Sequence, residues 1–108
     1  MSLAELREGR MQSCEVAGRE IVVCRVKGGG VYALDNVCTH AFARMSEGRL
    51  RGERLVCPMH GASFNVRNGS VLGAPATVPL ATHAVRVVDG MVEVAIDVSA
   101  APGARDSS

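Results

Sequence analysis

The chain has 108 residues, 47% of them apolar, and a formal net charge of +1 at neutral pH, which bounds it to one modest core without a second catalytic domain. Near-neutral charge with only Tyr32, Phe42 and Phe64 as aromatics excludes a stacking platform for nucleic acid. No run approaches the ~20 apolar residues of a membrane span, and the opening ten residues carry Glu5, Arg7, Glu8 and Arg10 instead of a signal-peptide core, so a cytoplasmic protein with no membrane partner is expected.

Ser2-Leu3-Ala4-Glu5 has the Ser-x-x-Glu spacing of a capping box, opening at most one short helical turn before Gly9. Strands are then predicted over 12–16, 20–26, 31–35, 54–57, 63–66, 70–72, 82–88 and 91–96, where β-branched residues alternate with polar ones. Ala17-Gly18 and Gly28-Gly29-Gly30 read as turns, and Asn68-Gly69 and Asp89-Gly90 as two-residue hairpin connections. The pattern predicts an all-β fold, a small antiparallel β-sandwich or open barrel, with a subdomain of loops and short strands (about 37–73) inserted into a single domain spanning 1–98. Residues 99–108, rich in Ser, Ala, Gly and Pro, lack the apolar side chains to offset their ordering entropy and are expected to form a flexible tail.

Of the four cysteines, Cys14 and Cys24 fall on adjacent predicted strands, where a cross-strand disulfide is conceivable, although a reducing cytoplasm favours free thiols. The other two stand in Cys38-Thr39-His40 and Cys57-Pro58-Met59-His60, a C-x-H and a C-x-x-H pair separated by sixteen residues. Soft thiolates with borderline imidazoles suit iron–sulfur iron or zinc and do not suit magnesium or calcium. Structural zinc usually draws on C-x₂₋₄-C with H-x₃₋₅-H, whereas each loop here offers one donor of each kind. Pro58 fixes φ in the second loop and Gly61 is expected to permit close backbone approach. His83 alternates with Val85 and Val87 and reads as structural.

The stretch CTHAFARMSEGRLRGERLVCPMHGASFNVRNGSVLGAPA holds both pairs, the Ser46-Glu47-Gly48 turn, a C-P-x-H-G-x-x-F run ending at Phe64 and a Pro-containing segment at 73–76. In these features the chain resembles the Rieske family. The resemblance implies one [2Fe–2S] cluster, with one iron held by Cys38 and Cys57, the other by His40 and His60, and the Pro75 segment packed over it. Two ferric ions, two sulfides and two thiolates sum to zero charge beside neutral imidazoles, so an added electron is accepted more easily than by a four-thiolate cluster. Respiratory members carry an extra cysteine in each loop and two hydroxyl donors, where this chain has Ala43, Met59, Ala62 and Phe64, which places its midpoint at about −200 to −100 mV.

Short members resemble the ferredoxin component of bacterial aromatic-ring-hydroxylating dioxygenases. This implies an electron carrier between a NAD(P)H-dependent flavin reductase and a terminal Rieske non-haem iron oxygenase, both bound transiently. It implies no enzyme, because a mononuclear iron site needs two further histidines and only His83 remains. The alternatives are the small subunit of an assimilatory nitrite reductase and, in a different class, a zinc-stabilised interaction module. Arg44, Arg49, Arg51, Arg54 and Arg67, with Glu47 and Glu53 among them, suggest a mildly basic rim around the loops.

Overall fold

The computed structural model describes residues 1–39, 43–59, 61–74 and 76–96. Nine strands are found among them: β1 (Arg10–Val16), β2 (Arg19–Arg25), β3 (Val31–Asp35), β4 (Arg49–Arg51), β5 (Arg54–Val56), β6 (Ser63–Asn65), β7 (Val71–Gly73), β8 (Thr82–Val88) and β9 (Met91–Ala95). They form two antiparallel sheets, ordered β1-β2-β3-β8-β9 and β4-β5-β6-β7, so the smaller sheet is inserted between β3 and β8 of the larger. His40, His60 and Pro75 lie outside the described residues, as does the whole predicted tail.

β2 explains how the two parts share a core. Ile21, Val22, Val23 and Cys24 are all fully buried, so this central strand reads as a continuous apolar run, as a strand covered on both faces should. Alternate side chains point to opposite faces. Ile21 and Val23 pack with Leu6, Ala33 and Val92, whereas Val22 and Cys24 pack with Leu34, Leu55, Phe64, Cys38 and Cys57.

That alternation excludes the conceivable disulfide. Cys14 lies opposite Ile21 and Cys24 opposite Met11, three positions apart and on opposite faces, and both thiols are free. Burial pushes the Cys24 thiol up to about 12, and it raises Cys14 less, against the pull of the N-terminal ammonium. A raised thiol pKa stabilises the fold below the ordinary value of 9.0, and this contribution falls as pH rises from there toward 12. At pH 8, iodoacetamide is therefore expected to label half-buried Cys14 slowly and to spare Cys24 until the protein is unfolded. Mass-spectrometric detection of early labelling at Cys24 would contradict this burial.

Several local expectations change. Ser2 makes no side-chain cap; it bridges to Met91 of β9 while the Leu3 amide donates to the Gly90 carbonyl, and residues 3–5 form one turn of 3₁₀ helix. Sheet pairing has thus displaced the capping box. Asn68-Gly69 is no two-residue hairpin: the Asn65 and Asn68 side chains accept the amides of Arg67 and Ser70, and Asn65 and Ser70 join across a longer turn. The three-residue β4 was missed because two of its residues are arginines, although Gly52-Glu53 turns it tightly onto β5 with Arg51 opposite Arg54. Ala17-Gly18 and Asp89-Gly90 do make two-residue turns, with Val16 opposite Arg19 and Val88 opposite Met91.

Candidate metal centre

Cys38 and Cys57 begin two connections built to the same dimensions. The Cys38 amide donates to the Ala43 carbonyl at 2.9 Å, and the Cys57 amide donates to the Ala62 carbonyl at 2.7 Å. Immediately outside these bonds Val37 bridges to Arg44, and Val56 pairs with Ser63. Each cysteine therefore sits at the base of a loop closed by its own amide, five positions before the accepting carbonyl. The two loops differ in composition: one offers C-x-H, the other C-x-x-H. Gly61 has φ of +75° with open space where a Cβ would stand, so its role is left-handed backbone, not the close approach expected of it.

Both cysteines are buried in the shared core with Phe64, Ala62, Met45 and Ala76, and their thiols lie within hydrogen-bonding reach of each other. Burial pushes the Cys57 thiol up; the Met59 amide, which donates to Cys57 Sγ at 3.4 Å, pulls it down, and the Cys38 thiol raises it again. Two adjoining sulfurs in an apolar pocket, with the Met59 amide donating to one of them, suit a group that takes both as thiolates, since a metal deprotonates a coordinating thiol outright.

The surroundings hold the first loop from three sides. Asn36, fully buried two residues before Cys38, donates its amide to the Glu20 carbonyl, accepts the Met45 amide on its backbone carbonyl and accepts the Ser46 amide on Oδ1. Thr39 Oγ1 donates to the Val78 carbonyl at 2.6 Å, tying the loop to the segment that follows Ala76. The Arg44–Glu20 ion pair closes the outer side at 2.7 Å. Sequence reasoning missed Asn36 and Thr39, because a lone Asn or Thr in a loop carries no spacing signal before the chain folds around it.

His83 does not join the cysteines. Its Nε2 lies 2.8 Å from Asp35 Oδ1, while Arg19 Nη2 donates to both Asp35 oxygens at 3.0 and 2.8 Å. The expected structural role holds, as a buried polar link between β3 and β8 at the strand end that leads into the first loop.

Residues 1–84 match the family model described as a Rieske [2Fe-2S] domain. The chain belongs to this family. The Rieske domain is 38% identical over 99 residues to the ferredoxin component of the naphthalene 1,2-dioxygenase system of Pseudomonas putida, covering 92% of each chain. Among solved structures it resembles the ferredoxin of carbazole 1,9a-dioxygenase from Nocardioides aromaticivorans IC177, with a TM-score of 0.85, 31% identity and coverage of 90% of this chain and 94% of that one. It also matches a chain of the complex of reduced oxygenase and oxidized ferredoxin in carbazole 1,9a-dioxygenase, with a TM-score of 0.82, 37% identity and coverage of 87% and 96%. A Rieske-type [2Fe–2S] cluster is the cofactor of such a domain, and the buried, adjoining thiols fit it. Ala62 and Phe64, fully buried around the cysteines, present carbon where respiratory relatives are expected to present hydroxyls.

Proposed function

We propose that Cys38 and Cys57 hold one iron of the cluster and His40 and His60 the other, and that the protein carries single electrons from a NAD(P)H-dependent flavin reductase to a terminal Rieske non-haem iron oxygenase acting on an aromatic compound. The observation that carries this reading is the adjoining pair of buried thiols at the bases of two loops of equal span, within a chain similar to dioxygenase ferredoxins over nearly its whole length. When bound, the cluster supplies one-electron chemistry at a potential raised by its imidazole ligands.

The chain's own residues exclude water from the thiolates and present the loops to a partner. Phe64, Leu55 and Met45 wall the sulfurs from solvent, while Val37, Met59 and Val78, all exposed, surround the loops with apolar surface. Such a face suits brief docking over a small area, as a shuttle using one surface for two partners requires. A cytoplasmic setting agrees with the free thiols of Cys14 and Cys24.

Visible absorption and low-temperature electron paramagnetic resonance before and after dithionite test the cofactor. A red-brown protein that gains a rhombic signal with average g below the free-electron value is expected, with a midpoint at about −200 to −100 mV by voltammetry. A colourless protein with stoichiometric zinc would overturn the proposal, and a midpoint above zero would overturn the assignment to the low-potential end. Copurification with a large nitrite reductase subunit would replace the shuttle by a permanent partnership.

A further inference from the structure

The five arginines expected to form one basic rim do not act together. Arg44 pairs with Glu20; Arg67 pairs with Glu53 at 2.6 Å and sits 5.5 Å from the Tyr32 ring centroid; Arg54 Nη1 donates to Ser63 Oγ at 2.6 Å. Arg49 and Arg51 make no side-chain hydrogen bond or ion pair among the described residues, and neither does Arg10. These three exposed guanidiniums line one groove of about 400 Å³, together with Met11 and Leu50, and no carboxylate among the described residues lines it.

The groove runs between two open sheet edges. β1 is the outer strand of the larger sheet and β4 the outer strand of the smaller, so among the described residues each has a strand neighbour on one side only. Arg49 and Arg51, two apart on β4, share a face with period two. The 3₁₀ turn Met45–Glu47 packs against β1 and sets the groove beside the first ligand loop, and Arg49 lies opposite Val56, one residue before Cys57. Three unpaired cations in one cleft repel each other and attract a carboxylate-bearing occupant.

We propose that this groove docks an extended acidic segment of a protein partner, added as a strand along β4, with carboxylates at alternate positions meeting Arg49 and Arg51 and Arg10 facing them from β1. The intervening apolar side chains meet Leu50 and Met11. Main-chain pairing supplies affinity and the period-two charge match supplies register. Held here, a partner grips the flank of the domain and leaves the apolar face around Val37, Met59 and Val78 to a second contact. The inference concerns the polypeptide surface and stands whether or not the electron-carrier reading does.

The test uses the cluster-loaded protein and a fluorescein-labelled octapeptide of alternating Glu and Val, followed by fluorescence anisotropy at low salt. Binding that weakens with salt is expected, and at least tenfold weaker binding to the variant Arg10→Gln, Arg49→Gln, Arg51→Gln, as the loss of three exposed charge contacts predicts. Arg86→Gln, which removes an arginine already paired with Glu93, is expected to bind as the parent does. Equal affinity for the triple variant overturns the proposal, as does equal affinity for a peptide of four Glu followed by four Val, which would reduce the groove to bulk charge. Displacement by sub-millimolar inorganic phosphate would also overturn it, in favour of a small-anion site. The visible spectrum of each variant reports folding and cluster content separately from peptide binding.

Discussion

Gly48→Ala is expected to strip the protein of its iron. Gly48 ends the 3₁₀ turn after the first ligand loop, and a Cβ placed on it would overlap the Val56 carbonyl oxygen and crowd Pro58. Those are the two neighbours of Cys57. The overlap is with backbone, so no rotamer change relieves it: either β4 leaves β5, or Val56 shifts and takes the Cys57 thiol away from Cys38. Overpacking of this kind costs about 3 kcal/mol, enough to lower the melting temperature by roughly 10–20 °C in a domain of this size. Iron per chain below half of the parent's, measured after identical purification, is the expected result. Gly52→Ala is the control, since this glycine turns the same hairpin with φ of +60° and open space around it. It is expected to cost about 1 kcal/mol and leave the iron content unchanged. Full iron and an unshifted transition in Gly48→Ala would show that the hairpin yields where the packing says it cannot.

The second large effect is expected at Asp35. Its carboxylate accepts two bonds from Arg19 and lies 2.8 Å from the fully buried ring of His83, so one side chain serves two basic partners at the end of β3. Arg19 is 30% exposed and recovers water as a partner when the carboxylate goes; the His83 ring, with no exposed side-chain surface, loses this bond with no water to replace it. Asp35→Ala is therefore expected to cost about 2–4 kcal/mol, most of it from the desolvated histidine. Asp35→Asn keeps the shape and one acceptor, and about half of that loss is expected. Because Asp35 stands three residues before Cys38, thermal denaturation followed by far-ultraviolet circular dichroism and by cluster bleaching should move together. Equal melting temperatures for parent and Asp35→Ala would remove the triad from the account of what holds β3 to β8.

What could be read from the sequence divides along a physical line. The meeting of Cys38 and Cys57 was legible because donor type and spacing are local, and β2 was legible because Ile21 to Cys24 is an unbroken apolar run. The Ala17-Gly18 and Asp89-Gly90 turns were legible because positive φ needs few residue types. Illegible were features made by distant partners. Asn36 gains its role from Glu20, Met45 and Ser46, and Asp35 from Arg19 and His83. The five arginines looked alike in sequence, and only folding sorts Arg44, Arg54 and Arg67 into contacts and leaves Arg49 and Arg51 with Arg10. The capping box failed for the same reason: Ser2 finds a strand neighbour eighty-nine residues away that the local pattern cannot foresee.

The matched closure of the two loops that begin at Cys38 and Cys57 bears on how such a protein matures. In a zinc finger the metal is the nucleus around which the chain collapses, and the metal-free polypeptide is unfolded. Here the spans that fix Cys38 and Cys57 are set by peptide groups, Cys38 to Ala43 and Cys57 to Ala62, and by strand pairs just outside them. Only peptide groups take part in those bonds. Closure by peptide groups predicts a fold that forms ahead of its cluster, with loading then tightening it by mass action. Hydrogen exchange on iron-free protein should accordingly find the amides of both sheets protected, with the order of assembly running from chain to mineral.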